Sequence, residues 1–170
     1  GTSWDTVGTE RFSSGDVAYL TIAVSPTTGE PYVAYKDTSA GSKITVQRFN
    51  GTSWTTVGTA GFSYGTSTID GLKILFHASS SLPYVAYEGG VMKFDGSTWV
   101  PVGSQWPSSG SYKNGGFAFG TTTADLYVVD LEYVRYLTDA PSAPYFSPDD
   151  SNFYTSSISV TLASETSGDS

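Results

Sequence analysis

The sequence Pro-Tyr-Val-Ala-Tyr occurs at residues 31–35 and again at residues 83–87, and a looser copy, Leu-Tyr-Val-Val-Asp, occupies residues 126–130. The copies begin at residues 31, 83 and 126, which are 52 and 43 residues apart. Self-similarity on this scale is typical of proteins built from stacked repeats, in which each repeat is one small supersecondary unit. The repeat therefore indicates the kind of fold before any single residue does.

Three further segments recur around each copy. The first precedes it and is apolar, the second follows it, and the third carries Gly-x-x-Trp and ends in Val-Gly. The first segment occurs at residues 20–24, 72–76 and 117–119. The second occurs at residues 43–49, 91–94 and 133–137, and the third at residues 1–8, 51–58 and 96–103. β-Branched and aromatic residues dominate these segments, and Gly, Pro, Asn and Ser bound them, which is typical of β-strands.

Two dipeptides predict the turn between the second and third of these segments. They are Asn50-Gly51 and Asp95-Gly96, at the equivalent place in two repeats. Such pairs favour a type I′ hairpin, in which both residues take positive φ. We therefore expect two tight hairpins here.

The sequence predicts an all-β fold in which each repeat is a four-stranded antiparallel sheet, the unit of a β-propeller blade. With the strands of a repeat named a to d and the Trp-containing strand last, residues 1–139 read d, abcd, abcd, abc, or about three blades. The first strand, at residues 1–8, complements the unfinished last blade. We expect it to pair with another blade, in the same polypeptide or in another copy of the chain, because an unpaired edge strand invites aggregation.

A change of pattern after residue 139 predicts a second domain. Residues 140–144, Ala-Pro-Ser-Ala-Pro, have the composition of a short, stiff linker. Residues 145–170 include the alternating Ile158, Val160 and Leu162, and we expect them to form the first strands of a truncated Ig-like β-domain. Because the chain begins inside a repeat, we also expect it to be a mature or truncated fragment of a longer protein.

The composition narrows the range of partners. The formal net charge is −8, with 8 Lys plus Arg in 170 residues, so a nucleic acid would be repelled rather than bound. The absence of cysteine excludes disulfides and thiolate metal sites. No apolar run has the length of a membrane span. The acidic, cysteine-free, Ser/Thr/Gly-rich composition favours a bacterial protein that is secreted or displayed on the cell surface.

The loops from strand d to the next strand a are the predicted ligand surface. They carry a repeated x-Ser-x-Gly and aromatic residues at Phe12, Phe62, Tyr64 and Trp106. Loops on a rigid scaffold often hold binding sites, so these four residues are the candidate ligand-binding residues. The alternative is that the rings form a hydrophobic plug between blades.

Three other sets of residues recur at similar repeat positions. A structural role is favoured for each: an interblade wedge for the tryptophans, solvated turns for the acids, and a cap on the blade edge for the bases. The binding alternatives are sugar stacking, coordination of Ca²⁺ or sugar hydroxyls, and recognition of an acidic sugar. The sets are Trp4, Trp54 and Trp99; Asp37, Glu88 and Asp130; and Arg48, Lys93 and Arg135.

Catalysis is not expected. The chain has a single histidine, His77, and no cysteine, and it lacks a Gly-x-Ser-x-Gly nucleophile motif, so no triad is available. A glycosidase needs a pair of carboxylates, and no pair among the 16 Asp and Glu residues stands out. We expect His77 to lie in a solvated loop, and we expect no catalytic residue, metal site or cofactor.

Two resemblances extend this interpretation. Residues 1–139, with their Pro-Tyr-Val-Ala-Tyr and Asn/Asp-Gly-x-x-Trp-x-x-Val-Gly motifs, resemble the repeats of bacterial extracellular β-propellers, loosely of the kelch-like and fucose-lectin-like kind. The tail, with Pro-Tyr-Phe-Ser-Pro at residues 144–148 and Val-Thr-Leu at 160–162, is similar to the opening of the chitobiase/hexosaminidase C-terminal type of Ig-like domain. These resemblances imply a propeller followed by an accessory spacer in a secreted or surface protein.

Two functions are consistent with these features. The first is a non-catalytic structural or adhesive module that mediates protein–protein or surface assembly in a larger extracellular protein. The alternative is a carbohydrate-binding, lectin-like propeller that is accessory to a polysaccharide-degrading enzyme. The expected partners are therefore other blades, in the same polypeptide or in another copy of the chain, or glycans, with no nucleic acid and no membrane span.

Overall fold

The computed structural model of the chain describes residues 2–65, 71–103, 116–120, 125–130 and 133–137. Within these residues the protein forms eleven β-strands and one short 3₁₀ turn, Thr38–Ala40. The strands are β1 (Val17–Val24), β2 (Pro31–Asp37), β3 (Lys43–Phe49), β4 (Trp54–Thr56), β5 (Lys73–Phe76), β6 (Pro83–Tyr87), β7 (Gly90–Phe94), β8 (Trp99–Pro101), β9 (Phe117–Phe119), β10 (Leu126–Asp130) and β11 (Tyr133–Leu137). The all-β class predicted from the sequence is confirmed.

The strands form three antiparallel sheets in which neighbours along the chain are neighbours in the sheet. The first has the order β1-β2-β3-β4, the second β5-β6-β7-β8, and the third β11-β10-β9. The predicted repeat order abcd, abcd, abc is therefore confirmed. The described sheets do not form a closed propeller ring. The predicted linker at 140–144 and the predicted Ig-like domain at 145–170 lie outside the described residues.

The predicted d strand at residues 1–8 is wrong for the single chain, because residues 2–16 contain no strand. A strand requires a hydrogen-bonded neighbour. β4 and β8 have one, since they pair with β3 and β7 of their own sheets. Residues 2–8 carry the same sequence motif but have no strand beside them among the described residues. The motif thus becomes a strand only where its sheet is present.

The strands β2 and β6 are apolar on both faces, and the second sheet, which contains β6, packs between the first and third sheets. Along β2, Tyr32 and Ala34 point to one side, and Val33 and Tyr35 to the other, as alternation requires. We call the side of Tyr32 the front face, which packs against the following sheet, and the other side the back face. The equivalent front and back positions exist in the second and third sheets, because strands a and b pair in the same register in all three sheets.

Two hydrophobic cores lie between consecutive sheets. The first joins the front of the first sheet to the back of the second, and the second joins the front of the second sheet to the back of the third. The buried residues of the first core are Tyr32, Ala34, Ile44, Val46, Val57, Leu72, Ile74, Val85, Tyr87, Met92 and Trp99. Those of the second core are Tyr84, Ala86, Val91, Phe117, Leu126 and Val128. Apolar burial of this kind is the main stabilising contribution of the fold. The cores therefore lie between sheets rather than within a single repeat.

The same backbone hydrogen bond closes the connection from strand a to strand b in all three repeats. The backbone N–H groups of Ser25, His77 and Gly120 donate to the carbonyl oxygens of Glu30, Leu82 and Asp125, at 2.9, 2.9 and 2.8 Å. These bonds hold strands a and b at one spacing. The side chain at the first position is buried in the first two repeats, at Ser25 and His77.

The hairpins after β3 and β7 form where predicted, but not as type I′ turns. Phe49 pairs with Trp54, so the loop contains four residues, and the non-glycine residues with positive φ do not include Asn50 or Asp95. Instead, the side-chain oxygen of Asn50 accepts hydrogen bonds from the N–H groups of Thr52 and Ser53, at 3.0 and 2.9 Å. A side chain that satisfies two backbone donors stabilises the longer loop over the two-residue turn.

Candidate functional site

The contact between consecutive sheets repeats with the same side chains at the same positions. The ring of Tyr32 meets the ring of Phe76 edge-on, with centroids 4.9 Å apart at 87°. One sheet further on, Tyr84 meets Phe119 at 4.9 Å and 81°. Edge-to-face aromatic pairs of this geometry add to the stabilisation from burial alone. The tyrosine of strand b in one sheet therefore packs on strand a of the next.

The tryptophan of strand d reinforces this contact with a hydrogen bond to the preceding repeat. The indole Nε1–H of Trp99 donates to the carbonyl oxygen of Val57 at 2.8 Å. Trp54 makes the equivalent bond to the carbonyl oxygen of Val7 at 3.0 Å. Trp99 is buried, whereas Trp4 is fully exposed. Trp54 and Trp99 thus have the structural, wedge-like role that the repeat position predicted.

Two of the aromatic rings predicted to bind a ligand instead pack against other aromatic rings of the protein. Phe62 lies flat against Trp99, with centroids 4.3 Å apart at 10°. Phe12 packs against Trp54 and Tyr35, at 5.2 and 5.5 Å. These two rings thus occupy repeat-equivalent packing positions, as in the alternative prediction of a hydrophobic plug.

Tyr64 and Trp106 complete the predicted set. The side chain of Tyr64 is exposed, and its backbone N–H donates to the hydroxyl oxygen of Tyr87 at 3.1 Å. Trp106 lies outside the described residues. The structure thus places Phe12 and Phe62 in two separate packing contacts and leaves the side chain of Tyr64 exposed.

The back face of the first sheet carries an exposed apolar strip, formed by Leu20, Ile22 and Val24, which we call the β1 strip. These side chains are 56%, 65% and 58% exposed. Their repeat equivalents in the second sheet are Leu72, Ile74 and Phe76, of which Leu72 and Ile74 are only 6% and 2% exposed, and Phe76 packs against the core. A contiguous exposed apolar patch on a folded protein commonly marks an interaction surface.

The remainder of the same face is covered by residues 2–16. Phe12 lies on Tyr35, and Gly8 sits against the rings of Phe49 and Trp54. A similar segment, residues 57–65, lines the second sheet, where Gly58 sits against Phe94 and Trp99. Residues 2–16 therefore begin a further repeat contact but leave the β1 strip uncovered.

Asp37 is a structural residue, contrary to the predicted solvated turn. It is buried, and its carboxylate accepts hydrogen bonds from the Ser39 N–H at 3.0 Å and the Thr45 hydroxyl at 3.0 Å. Full hydrogen bonding of this kind is what a buried carboxylate requires. Of the other two acids in that set, Glu88 has one buried carboxylate oxygen with no hydrogen-bond partner in the described part of the chain, and the side chain of Asp130 is outside it.

Arg48 lies near the end of β3, which is an inner strand and not an edge strand of the first sheet. Its guanidinium is half exposed and forms an ion pair with Glu30 at 3.4 Å. An exposed pair of this kind contributes little to stability. Lys93 is half-buried at the equivalent position, and the side chain of Arg135 lies outside the described set. The described residues place no second binding residue beside Arg48, so the predicted recognition of an acidic sugar gains no support.

The prediction that His77 lies in a solvated loop is wrong. His77 is buried, its ring stacks on Tyr84, and it meets Phe119 edge-on at 4.9 Å. Its Nδ1 accepts a hydrogen bond from the Ser80 N–H at 3.2 Å, which holds the turn closed. The connection from strand a to strand b places this residue between the second and third sheets, and the sequence alone does not show that position.

Tyr35 and Asp95 are among the ionisable groups whose pKa values are shifted by their surroundings. Burial, with a smaller contribution from the charge of Asp37, raises the pKa of Tyr35 to about 12. Hydrogen bonds from the N–H groups of Thr98 and Ser97 lower the pKa of Asp95. Both shifts follow from packing and turn structure. Within the described residues, no group of three or more His, Cys, Asp or Glu side chains is arranged to hold a metal ion.

The β1 strip is the feature that sequence reasoning missed. Residues 20–24 and 72–76 are equally apolar, so composition predicts the same burial for both. Only the arrangement of the sheets shows that one run packs on a neighbour and the other does not. A comparison of burial between repeat-equivalent residues is the signal that reveals it.

The sequence matches no protein-family model, and no curated protein or solved structure is significantly similar to it. Among the described residues, no helix is both long and apolar enough to cross a membrane.

Proposed function

We propose that the chain is a non-catalytic structural or adhesive module of a secreted or cell-surface protein, and that it acts by packing sheet against sheet with other protein. The observation that carries this proposal is the β1 strip: three apolar side chains are exposed at positions that are buried between sheets in the next repeat. The equivalent faces of the second and third sheets already pack against neighbouring sheets, so the β1 strip has the surface chemistry for the same kind of contact. The β-propeller architecture expected from the sequence belongs to the same proposal.

The carbohydrate-binding alternative has less support. Sugar-binding aromatic residues present one ring face to solvent, whereas Phe62 and Trp99 cover each other. Phe12 likewise packs on Tyr35 and Trp54. Of the rings proposed for sugar binding, Phe12, Phe62, Trp54 and Trp99 are therefore used in packing, whereas Trp4 and Tyr64 are exposed.

An adhesion assay tests the proposal. Beads coated with the chain are added to cells of the source organism, and retention is compared with beads that carry Ile22→Asp. A charge at a 65% exposed strip position leaves the fold intact but opposes apolar docking. We expect retention of the unmodified chain and loss of retention for Ile22→Asp. Thr52→Asp, in an exposed hairpin loop, is the matched control and should be retained.

Pretreatment of the cells separates the two functions. Mild protease treatment of the cell surface should abolish retention if the partner is protein, and competition with soluble glycans should leave it unchanged. Retention that resists protease but yields to glycans would overturn the proposal in favour of the lectin alternative. Equal retention of Ile22→Asp and the unmodified chain would also overturn it.

A further inference from the structure

We infer that the β1 strip is the docking site for a second copy of this chain, which presents the front face of its third sheet, so that copies join head to tail. This inference rests on the proposed assembly function and specifies its partner and geometry. It follows from three observations. The first sheet exposes one surface of the contact that is repeated between sheets, and the third sheet carries the complementary surface. Beside that surface, the edge of β11 has no further strand among the described residues.

The unused half is the back face of the first sheet. In each existing contact, a tyrosine from strand b of one sheet packs on strand a of the next, as Tyr32 does on Phe76 and Tyr84 on Phe119. The residue of the first sheet at the position of Phe76 and Phe119 is Val24, which is 58% exposed. The first sheet thus carries an apolar acceptor surface for a tyrosine-bearing front face.

The complementary half is the front face of the third sheet. Tyr127 stands at the repeat position of Tyr32 and Tyr84, and it is 38% exposed. Ala118 pairs with it across β9 and β10 and is also exposed. The front face of the third sheet therefore matches, position for position, the faces that the first and second sheets use. Because the two halves lie on different sheets, the contact between copies is heterologous.

The strand edge strengthens this choice of partner. β11 is the outer strand of the third sheet, and no strand lies on its far side among the described residues. Residues 2–8 carry the strand d sequence but pair with nothing in their own sheet. A second copy docked on the β1 strip brings its own β11 to the place where residues 2–8 need a strand neighbour.

The register of this added strand can be derived from the existing sheets. Phe49 lies opposite Trp54 and Arg48 opposite Thr55, and Phe94 lies opposite Trp99 and Lys93 opposite Val100. In β11, Tyr136 lies opposite Tyr127 and Leu137 opposite Leu126, just as Arg48 lies opposite Tyr32 in the first sheet. Trp4 of one copy therefore pairs with Leu137 of the next, Asp5 pairs with Tyr136, and Thr6 pairs with Arg135. Residues directly opposite each other in an antiparallel pair have Cβ atoms about 4.5–5.5 Å apart.

Sedimentation of the purified chain over a range of concentrations tests the inference. We expect the mass to rise with concentration, in steps of one chain, and association to weaken at least tenfold for Ile22→Asp because an apolar docking residue is replaced by a charge. Thr52→Asp should associate like the unmodified chain. Circular dichroism checks that each variant retains its β-sheet content.

Engineered cysteines test the register separately, because the chain has none of its own. Thr6→Cys with Arg135→Cys should form a disulfide between copies under oxidising conditions, whereas Thr6→Cys with Tyr136→Cys, one residue out of register, should not. A chain that stays monomeric at every concentration overturns the inference. So does a disulfide that forms only in the out-of-register variant.

The failures of the two proposals are distinguishable. If the coated beads adhere through Ile22 while the free chain remains monomeric, the assembly function stands and the second copy is the wrong occupant. In that case, the partner sheet belongs to another protein or to a further part of the same polypeptide. If the chain self-associates through Ile22 but the beads do not adhere to cells, the docking inference stands and the surface function fails.

Discussion

At the scale of single residues, Gly58 shows why the repeat demands the dipeptide Val-Gly. Its φ is +69°, in the left-handed region that glycine adopts without strain. A Cβ atom at this position would lie 2.9 Å from Cε2 of Phe94 and 3.1 Å from Cδ1 of Trp99. Gly8 has the same surroundings in the first sheet. The glycine therefore allows the tryptophan of the next sheet to close over the backbone.

Substitution of Gly58 by alanine should be much more destabilising than the same substitution at Gly51. Gly51 also has positive φ, but a Cβ atom there would have no heavy atom within 4 Å, so Gly51→Ala introduces strain alone, about 1 kcal/mol. Gly58→Ala adds a clash with two aromatic rings, for a total of about 3 kcal/mol. Urea unfolding of both variants measures the difference, and equal losses would contradict the packing role.

The shifted pKa of Tyr35 predicts a loss of stability in alkali. The phenol ionises near pH 10.0 in the unfolded chain and at about 12 in the folded protein, so the folded state holds the proton more tightly. The corresponding stabilisation is complete below pH 10 and is lost as the pH rises through about 12.

Tyr35→Phe removes this ionisation, so its stability should fall less steeply over the same alkaline interval. Tyr19→Phe, at an exposed tyrosine, serves as the control and should follow the unmodified chain. Thermal unfolding midpoints at a series of alkaline pH values provide the comparison. Identical profiles for the unmodified chain and Tyr35→Phe would show that Tyr35 does not titrate as its burial predicts.

At the scale of elements, the two hairpins use one loop with two different acceptor residues. Asp95 Oδ1 accepts from the Ser97 and Thr98 N–H groups at 2.9 and 2.8 Å, as Asn50 does in the first sheet. The amide and the carboxylate perform the same structural task. They differ in that only the carboxylate can be protonated, and a protonated carboxyl is a weaker acceptor.

Asp95 should therefore make the second hairpin sensitive to acid. Its folded pKa is lowered by these hydrogen bonds, so its stabilising effect is present above the ordinary aspartate pKa of about 3.9 and is lost as the pH falls below it. Asp95→Asn keeps the acceptor and should reduce the loss of thermal stability in acid. Asp95→Ala should lower stability at neutral pH as well, because both N–H groups lose their acceptor.

The hairpins also show how far sequence reasoning reaches at this scale. Asn-Gly and Asp-Gly correctly predicted where the chain reverses, because glycine at positive φ is needed in either kind of loop. The four-residue loop depends on hydrogen bonds that the side-chain oxygens of Asn50 and Asp95 accept from backbone N–H groups further along the chain, and the dipeptides alone do not show these bonds. Similarly, residues 2–8 carry a strand sequence whose strand forms only with a neighbour.

At the scale of the whole molecule, the strand order was predictable because the repeat is nearly literal. Strands β3, β6, β9, β10 and β11 begin and end at the predicted residues. The burial of each sheet was not predictable, since it depends on what packs against it. Ile22 and Ile74 have similar sequence surroundings, yet their exposures are 65% and 2%. The local sequence pattern predicts the strands of one sheet, whereas the burial of a residue depends on how neighbouring sheets pack together.

This contrast gives a matched pair of substitutions. Ile74→Ala removes a side chain from the first core and should destabilise the chain by about 2–5 kcal/mol. Ile22→Ala, at the equivalent exposed position, should change the stability of the dilute chain by less than about 0.5 kcal/mol. Denaturant unfolding at low protein concentration measures both. A large effect of Ile22→Ala under these conditions would mean that the β1 strip is covered within the single chain.

The repeated tyrosine and tryptophan contacts also bear on how such a chain changes length during evolution. Residues 8–57 run from one Val-Gly junction to the next, and both junctions meet the following sheet through the same types of contact. Duplication of this segment by unequal recombination would insert one complete sheet whose faces match those on either side. Deletion would remove one just as cleanly. Selection could therefore adjust the number of sheets in a gene without redesigning any interface.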